Sequence, residues 1–150
     1  MRPQFRGSFD GMLMITRGGI IPGGLLAEAL DIKYILTAAV SFPVTDLPVP
    51  KLAALPEFLQ FPDEHLLHGR RTLVVDDVWG SGRTITAVKD RVETAGGRPE
   101  TCVLHFNPHR SLFTKVEPAY YGAVTDAFIV YPWEIDRGVD PIFARQPMTG

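Results

Sequence analysis

The feature that most limits how this chain can fold is the run Leu73 to Thr84, LVVDDVWGSGRT, where an apolar stretch meets two acids, then a glycine-rich turn. A short continuous apolar run bounded by turn residues reads as a buried strand. Beyond the turn, Ile85, Val88 and Val92 recur at the spacing of one helix face and Gly96-Gly97 supplies a stop, which predicts a helix over Thr84 to Ala95. Small residues let a ligand approach the free N–H groups at such a helix start, and the helix dipole adds to their pull on a phosphate. Asp76 and Asp77 would repel that phosphate. They suit sugar hydroxyls, from which they can accept hydrogen bonds, or a magnesium ion held through water, since magnesium takes oxygen ligands and keeps several waters.

The same pattern occurs earlier. Met12 to Ile15 is a short apolar run ended by Thr16-Arg17-Gly18-Gly19, and Pro22 suits the first turn of a helix with Leu25, Leu26, Ala29 and Leu30 on its apolar face. Lys33 to Val40 reads as the next strand, completing a β-α-β unit with parallel strands. Ser41 to Gly69 carries Pro43, Pro48, Pro50, Pro56 and Pro62 around a short apolar patch, Leu52 to Leu59, and is expected to be a lid loop spanning 41–69. Further strands are expected at Arg71 to Val75, Thr101 to Phe106 and Ala127 to Val130, followed by a tail with Trp133 and Phe143. Alternating strands and helices predict an α/β fold, a mainly parallel central sheet flanked by helices. Such sheets bind ligands beyond the carboxyl ends of their strands, where both glycine loops lie and could line one crevice.

Length and composition narrow the class of ligand. The 150 residues fit a single domain, and 45% apolar with 21% charged residues is the make-up of a globular protein with a real core. A net charge of -2 argues against nucleic acid or an anionic membrane as partner and favours a small substrate. Cys102 is the only cysteine, so neither an internal disulfide nor a multi-cysteine metal site can form. No export signal or membrane span is legible, which makes the cytoplasm the expected location. The pairs His65/His68 and His105/His109 lack accompanying carboxylates and read as surface or internally satisfied histidines.

The full run 73–84 resembles the signature of type I phosphoribosyltransferases. That signature is two apolar residues, two acids, an apolar pair, a small or acidic residue, Thr or Ser, Gly, any residue, and Thr or Ser. Here it is filled by Val74 to Thr84. Thr16-Arg17-Gly18-Gly19 resembles the family's pyrophosphate loop, with a cis peptide expected after Arg17, and Ser41-Phe42 resembles the pair that opens its mobile catalytic loop. Phe106-Asn107-Pro108 and Phe128 to Glu134 resemble the hood of the bacterial and archaeal branch that handles xanthine, guanine and hypoxanthine, which makes 107–150 the expected hood and tail.

The resemblance implies specific roles. Phosphoribosyl pyrophosphate would bind with its 5'-phosphate on Gly80, Ser81, Gly82, Arg83 and Thr84, its ribose on Asp76 and Asp77, and its pyrophosphate near Thr16, Arg17, Gly18 and Gly19. Asp76, Asp77 and Arg17 would be catalytic, Mg2+ would be held by the two acids through water, and Lys51 could add a charge from the lid. Phe128 would stack on a nucleobase whose edge Ile129 and Asn107 read. Relatives assemble as dimers or tetramers, so a homo-oligomer is expected.

Three departures separate this chain from the pattern. Gly80 stands where many 6-oxopurine enzymes carry an aspartate proposed to exchange a proton with the base, and Asn107 replaces a lysine that reads the 6-oxo group. The chain also starts close to its first strand, where relatives usually have a helix. These departures keep a second reading open, a phosphoribosyl-binding regulator of the same fold without turnover. A signalling receiver domain, which also begins strand-Asp-Asp, is disfavoured because its acids should lie near the N-terminus and Phe106-Asn107-Pro108 supplies neither a later acceptor aspartate nor the lysine after it.

Overall fold

The computed structural model describes residues 5–43 and 55–137. Its elements are β1 (Gly11–Ile15), α1 (Ile20–Ala29), β2 (Ile35–Ser41), β3 (Glu57–Gln60), β4 (Arg71–Trp79), α2 (Arg83–Thr94), β5 (Arg98–Phe106) and β6 (Tyr120–Val124). They form one six-stranded sheet in the order β3-β2-β1-β4-β5-β6. Every pairing is parallel except β2 with β3, which is antiparallel. The predicted α/β class therefore holds.

Strand order explains where a ligand can bind. From β1 the chain moves outward to β2, then returns to place β4 on the other side of β1 and continues to β5 and β6. The order reverses between β1 and β4, and in open α/β sheets ligands bind beyond the carboxyl ends of the strands at such a reversal.

The core lies on both faces of the sheet, as parallel strands require. On one face Leu13, Ile15, Val74 and Val103 meet Ile85, Val88 and Val92 of α2. The three α2 residues are at most 2% exposed, and each contributes about 1.5–3 kcal/mol by leaving water. On the other face Met12, Met14, Leu73, Val75, Cys102 and Tyr120 are covered by Leu26 and Ala27 of α1, by Leu30 just past its end and by Phe5 and Phe9. The two phenylalanines pack on the Tyr120 ring, with centroids 4.6 and 6.2 Å away.

Several sequence expectations change here. The buried side of α1 is formed by Pro22 and Gly23 with Leu26, Ala27 and Leu30, whereas Leu25 is 71% exposed and Ala29 also faces solvent. Gly23 sets this rotation: a Cβ there would lie 2.8 Å from Met14 Cγ, so the helix rests on the sheet through its glycine.

Within the expected lid 41–69 the described residues include a short strand and one core residue. Glu57–Gln60 pairs with β2, and a 3-10 turn at Glu64–Leu66 delivers Leu67 fully buried into the α2 face. Phe58 and Phe61 meet edge to face at 5.4 Å, with the Arg91 guanidinium of α2 over both rings. Pro56 and Pro62 flank an edge strand, a place where proline is tolerated. Residues 44–54, with Lys51, lie outside the described residues, as does Phe143.

Ala127 to Val130 is not a strand. The sixth position in the sheet goes to Tyr120–Val124, and Thr125 Oγ1 accepts the Ala127 amide at 3.0 Å in a turn that ends the pairing. β4 also runs past Val75 through both acids to Trp79, since Val78 and Trp79 pair with His105 and Phe106 of β5.

Candidate phosphoribosyl site

The loop after β1 lies directly on β4. A Cβ on Gly18 would stand 2.6 Å from Asp77 Cγ and both carboxylate oxygens, and one on Gly19 would collide with the Val75 carbonyl oxygen. Gly19 meets backbone and admits no side chain, one at Gly18 would push the Asp77 carboxylate aside, and the fit brings the first loop into contact with Asp77. The Thr16–Arg17 peptide is cis, one bond earlier than expected. Thr16 N donates to Ala38 O at 2.8 Å and Gly19 N to Ile15 O at 2.8 Å, which ties the loop to β1 and β2 and leaves the Arg17 side chain exposed at the rim.

The two acids differ in setting. Asp76 is half-buried, and its Oδ1 accepts the Asp77 amide at 2.9 Å. Asp77 is 6% exposed and is enclosed from two sides, by Gly18 and by the indole of Trp133, whose Nε1 donates to its Oδ2 at 3.4 Å. The Tyr131 hydroxyl donates to the Asp77 carbonyl at 3.2 Å and lies 2.8 Å from His105 Nδ1. A phenol has one proton, so donation to Asp77 leaves His105 to donate through Nδ1. Burial, and then the carboxylates of Asp77, Glu134 and Asp76, push the Tyr131 hydroxyl well above its ordinary pKa, so it stays protonated. Sequence reasoning assigned nothing to Tyr131 or Trp133, although both lie in the hood motif it singled out.

Beyond the acids the chain enters the phosphate-type loop. Gly80 faces open space, with nothing within 4 Å of a Cβ built on it. Gly82, at φ +81°, is the N-cap of α2 and sits on the Trp79 indole, where any side chain would strike the ring. Trp79 is held by Nε1 donating to Ser111 Oγ at 3.2 Å and by its carbonyl accepting from Asn107 N at 3.0 Å. Ser81 is exposed; its Oγ accepts the Arg83 amide at 3.3 Å and its carbonyl accepts from Leu112 N at 3.0 Å. Gly82 brings no side chain to cap the helix, and the first turn of α2 holds no acid. Apart from the Arg83 amide, which Ser81 Oγ engages, the first turn of α2 carries the partial positive charge of a helix start, which suits an anion. Arg83 lies 4.0 Å over the Phe42 ring, joining this loop to the end of β2.

The expected base-reading residues are more scattered. Asn107 is 2% exposed, but its Oδ1 already accepts the amides of His109 and Arg110 at 3.1 and 3.2 Å, so the side chain caps a turn. Phe128 is 54% exposed and Ile129 is half-buried, both between β6 and Tyr131. Of the four histidines, His105 is satisfied by Tyr131, in line with expectation.

No cluster of three or more His, Cys, Asp or Glu side chains exists among the described residues. Asp76 and Asp77 offer the oxygen donors that magnesium takes, an ion that keeps waters and draws further oxygens from a phosphorylated substrate.

The phosphoribosyl transferase domain family matches residues 3–127. This chain belongs to that family. Phosphoribosyltransferases are pentosyl-transferring enzymes, and that is its enzymatic class. Xanthine-guanine phosphoribosyltransferase of Desulfotalea psychrophila is 29% identical over 140 residues, covering 92% of this chain and 79% of the relative. The enzyme of that name from Ruegeria sp. is 26% identical over 130 residues, covering 86% and 70%. Among solved structures, the purine phosphoribosyltransferase of Pyrococcus horikoshii superposes with a TM-score of 0.67 at 28% identity, over 83% of this chain and 76% of the other. A hypothetical protein of Neisseria gonorrhoeae with bound ppGpp gives 0.70 at 25%, over 85% and 74%. By homology the chain falls with the purine and xanthine-guanine phosphoribosyltransferases. Among the described residues, no helix is long and apolar enough to cross a membrane.

Proposed function

We propose that this protein transfers the 5-phosphoribosyl group of phosphoribosyl pyrophosphate to a purine of the hypoxanthine, guanine or xanthine type and releases pyrophosphate. The observation that carries the reading is the contact of Gly18 with Asp77, which sets the arginine-bearing glycine loop after β1 against an acid of β4, the strand that leads into the α2 N-terminus. The purine assignment is supported by the names of the relatives.

In this mechanism the α2 N-terminus and the Gly80 to Thr84 loop bind the 5'-phosphate, and Asp76 and Asp77 accept hydrogen bonds from the ribose hydroxyls. Arg17, with the amides around Gly18 and Gly19, balances the charge gathering on the departing pyrophosphate. A purine nitrogen attacks C1', the C1'–O bond to pyrophosphate breaks, and the nitrogen's proton leaves to solvent, since Gly80 offers no side chain to take it. Asp76 and Asp77 would hold a magnesium ion through water, and such an ion would supply further neutralisation of the pyrophosphate charge. The carboxylates face the cation-like sugar that forms in transit and stabilise it.

A second reading, a phosphoribosyl-binding regulatory or interaction protein without turnover, is favoured by the absent acid at Gly80. One experiment separates the two. The protein is incubated with magnesium, phosphoribosyl pyrophosphate and adenine, guanine, hypoxanthine, xanthine, uracil or orotate, and pyrophosphate release is followed. Release with a purine is expected, and its loss in the variant carrying Asp76→Asn and Asp77→Asn. Binding without release on any base would favour the regulator, and no binding would sink both.

A further inference from the structure

We propose that Tyr131 and Trp133 are positioning residues that hold the Asp77 carboxylate in place for the phosphoribosyl substrate, with His105 fixing Tyr131 from behind. The proposal deepens the reading above and rests on it.

Asp77 sits on β4, and the groups that hold it come from 54 and 56 residues further along the chain. The Tyr131 hydroxyl secures its backbone carbonyl and the Trp133 indole N–H meets Oδ2. Gly18 lies against the carboxylate in the first loop. A carboxylate with free χ2 rotation is aimed by nothing of its own, because that torsion is broad and weakly preferred. Here one oxygen is engaged by an indole, so the other is presented in a set direction.

The clamp is itself rigid. Tyr131 and Trp133 stack at 4.7 Å with planes 9° apart, Tyr131 is only 5% exposed, and its amide donates to Glu134 Oε2 at 3.0 Å. His105 Nδ1, reaching from β5, fixes the phenol from the other side. A neutral indole donor also suits this place better than a cation would. It orients the carboxylate without neutralising it, so the full negative charge stays available to ribose hydroxyls and to a divalent ion.

Two measurements on the full chain test the idea. In 15N-labelled protein the chain's two tryptophans, Trp79 and Trp133, give two indole resonances, and Trp133→Phe assigns them. Asp77→Asn is expected to move the Trp133 indole resonance well beyond any change at Trp79. By calorimetry, Trp133→Phe, which keeps the stacked ring and removes the donor, is expected to weaken magnesium phosphoribosyl pyrophosphate on the order of 10-fold, as outer-shell substitutions do. Tyr131→Phe should act in the same direction, with melting temperatures near wild type. In the Asp77→Asn background Trp133→Phe should cost nothing further. An indole resonance that ignores Asp77→Asn overturns the proposal. So does unchanged affinity in Trp133→Phe, or an equal loss with and without the Asp77 carboxylate, which would mark a packing role. If the wild-type protein binds no phosphoribosyl pyrophosphate, the transferase reading fails, and the clamp is judged by the indole resonance alone.

Discussion

Replacing Gly18 with alanine should disable the site while sparing the fold, and the structure says by how much. The added Cβ would stand 2.6 Å from Asp77 Cγ, Oδ1 and Oδ2, against the 3.4 Å at which ordinary contact begins, so about 0.8 Å must be made up. Backbone on either side resists: Gly19 is bonded to Ile15 and Asp77 lies in a paired strand. The easier motion is a turn of the short carboxylate away from the first loop. Such a turn breaks its aim without opening a cavity, so the stability loss should be no more than the roughly 1–3 kcal/mol of modest overpacking. The catalytic loss should be larger, since a misplacement near 1 Å costs about 100-fold. We therefore expect kcat/KM for phosphoribosyl pyrophosphate to fall between about 10- and 100-fold, by the same reasoning. Pyrophosphate release measures it, with thermal melting run alongside. Gly24→Ala, on α1 and outside the site, is the matched control, because nothing lies within 4 Å of its added carbon. Wild-type kcat/KM in Gly18→Ala would refute the claim that the position of Asp77 matters to the reaction.

Other perturbations have different signatures. Gly82→Ala forces alanine to φ +81° and drives its Cβ into the Trp79 ring, so it should cost about 2–4 kcal/mol of stability and lower the melting temperature by roughly 5–15 °C; a melt within a degree of wild type would contradict the geometry. Gly80→Asp should fold normally, there being open space for it, and should raise turnover on 6-oxopurines above that of Gly80→Asn if a base at that position takes the purine proton; equal turnover in the two variants would remove position 80 from the proton path. Burial pushes the Cys102 thiol from 9.0 up to about 12. The unfolded chain therefore loses this proton first as pH rises. Stability from this group is whole below pH 9 and is withdrawn between about pH 9 and 12, by at most about 4 kcal/mol at 1.36 kcal/mol per pH unit. Denaturant melts compared with Cys102→Ala across that range measure the effect, and a wild-type curve parallel to the variant's would rule it out.

The parts of this protein legible in its sequence are those built by neighbours in the chain. A strand, a glycine turn and a helix start are contiguous in Met12 to Pro22 and again in Leu73 to Val92, so apolar spacing and glycine placement disclose both loops and the α2 face. Arg17, Asp76, Asp77 and the Gly80 to Thr84 loop could be named on that basis. Where contacts come from afar, local pattern misleads. Leu25 and Leu26 look alike in sequence, but the close approach of Gly23 to Met14 decides which is buried. Glu57–Gln60 is short, lies among prolines and becomes a strand only because the β2 edge accepts it. The apolar run Ala127 to Val130 matches a strand better than Tyr120–Val124 does, yet register with β5 selects the latter. By itself the sequence determined where the two glycine loops and the start of α2 fall, because each is made of consecutive residues. Tertiary structure alone decided that Gly18 touches Asp77 and that Tyr131 and Trp133 close over it, because those contacts exist only once strand order has brought distant segments to one end of the sheet.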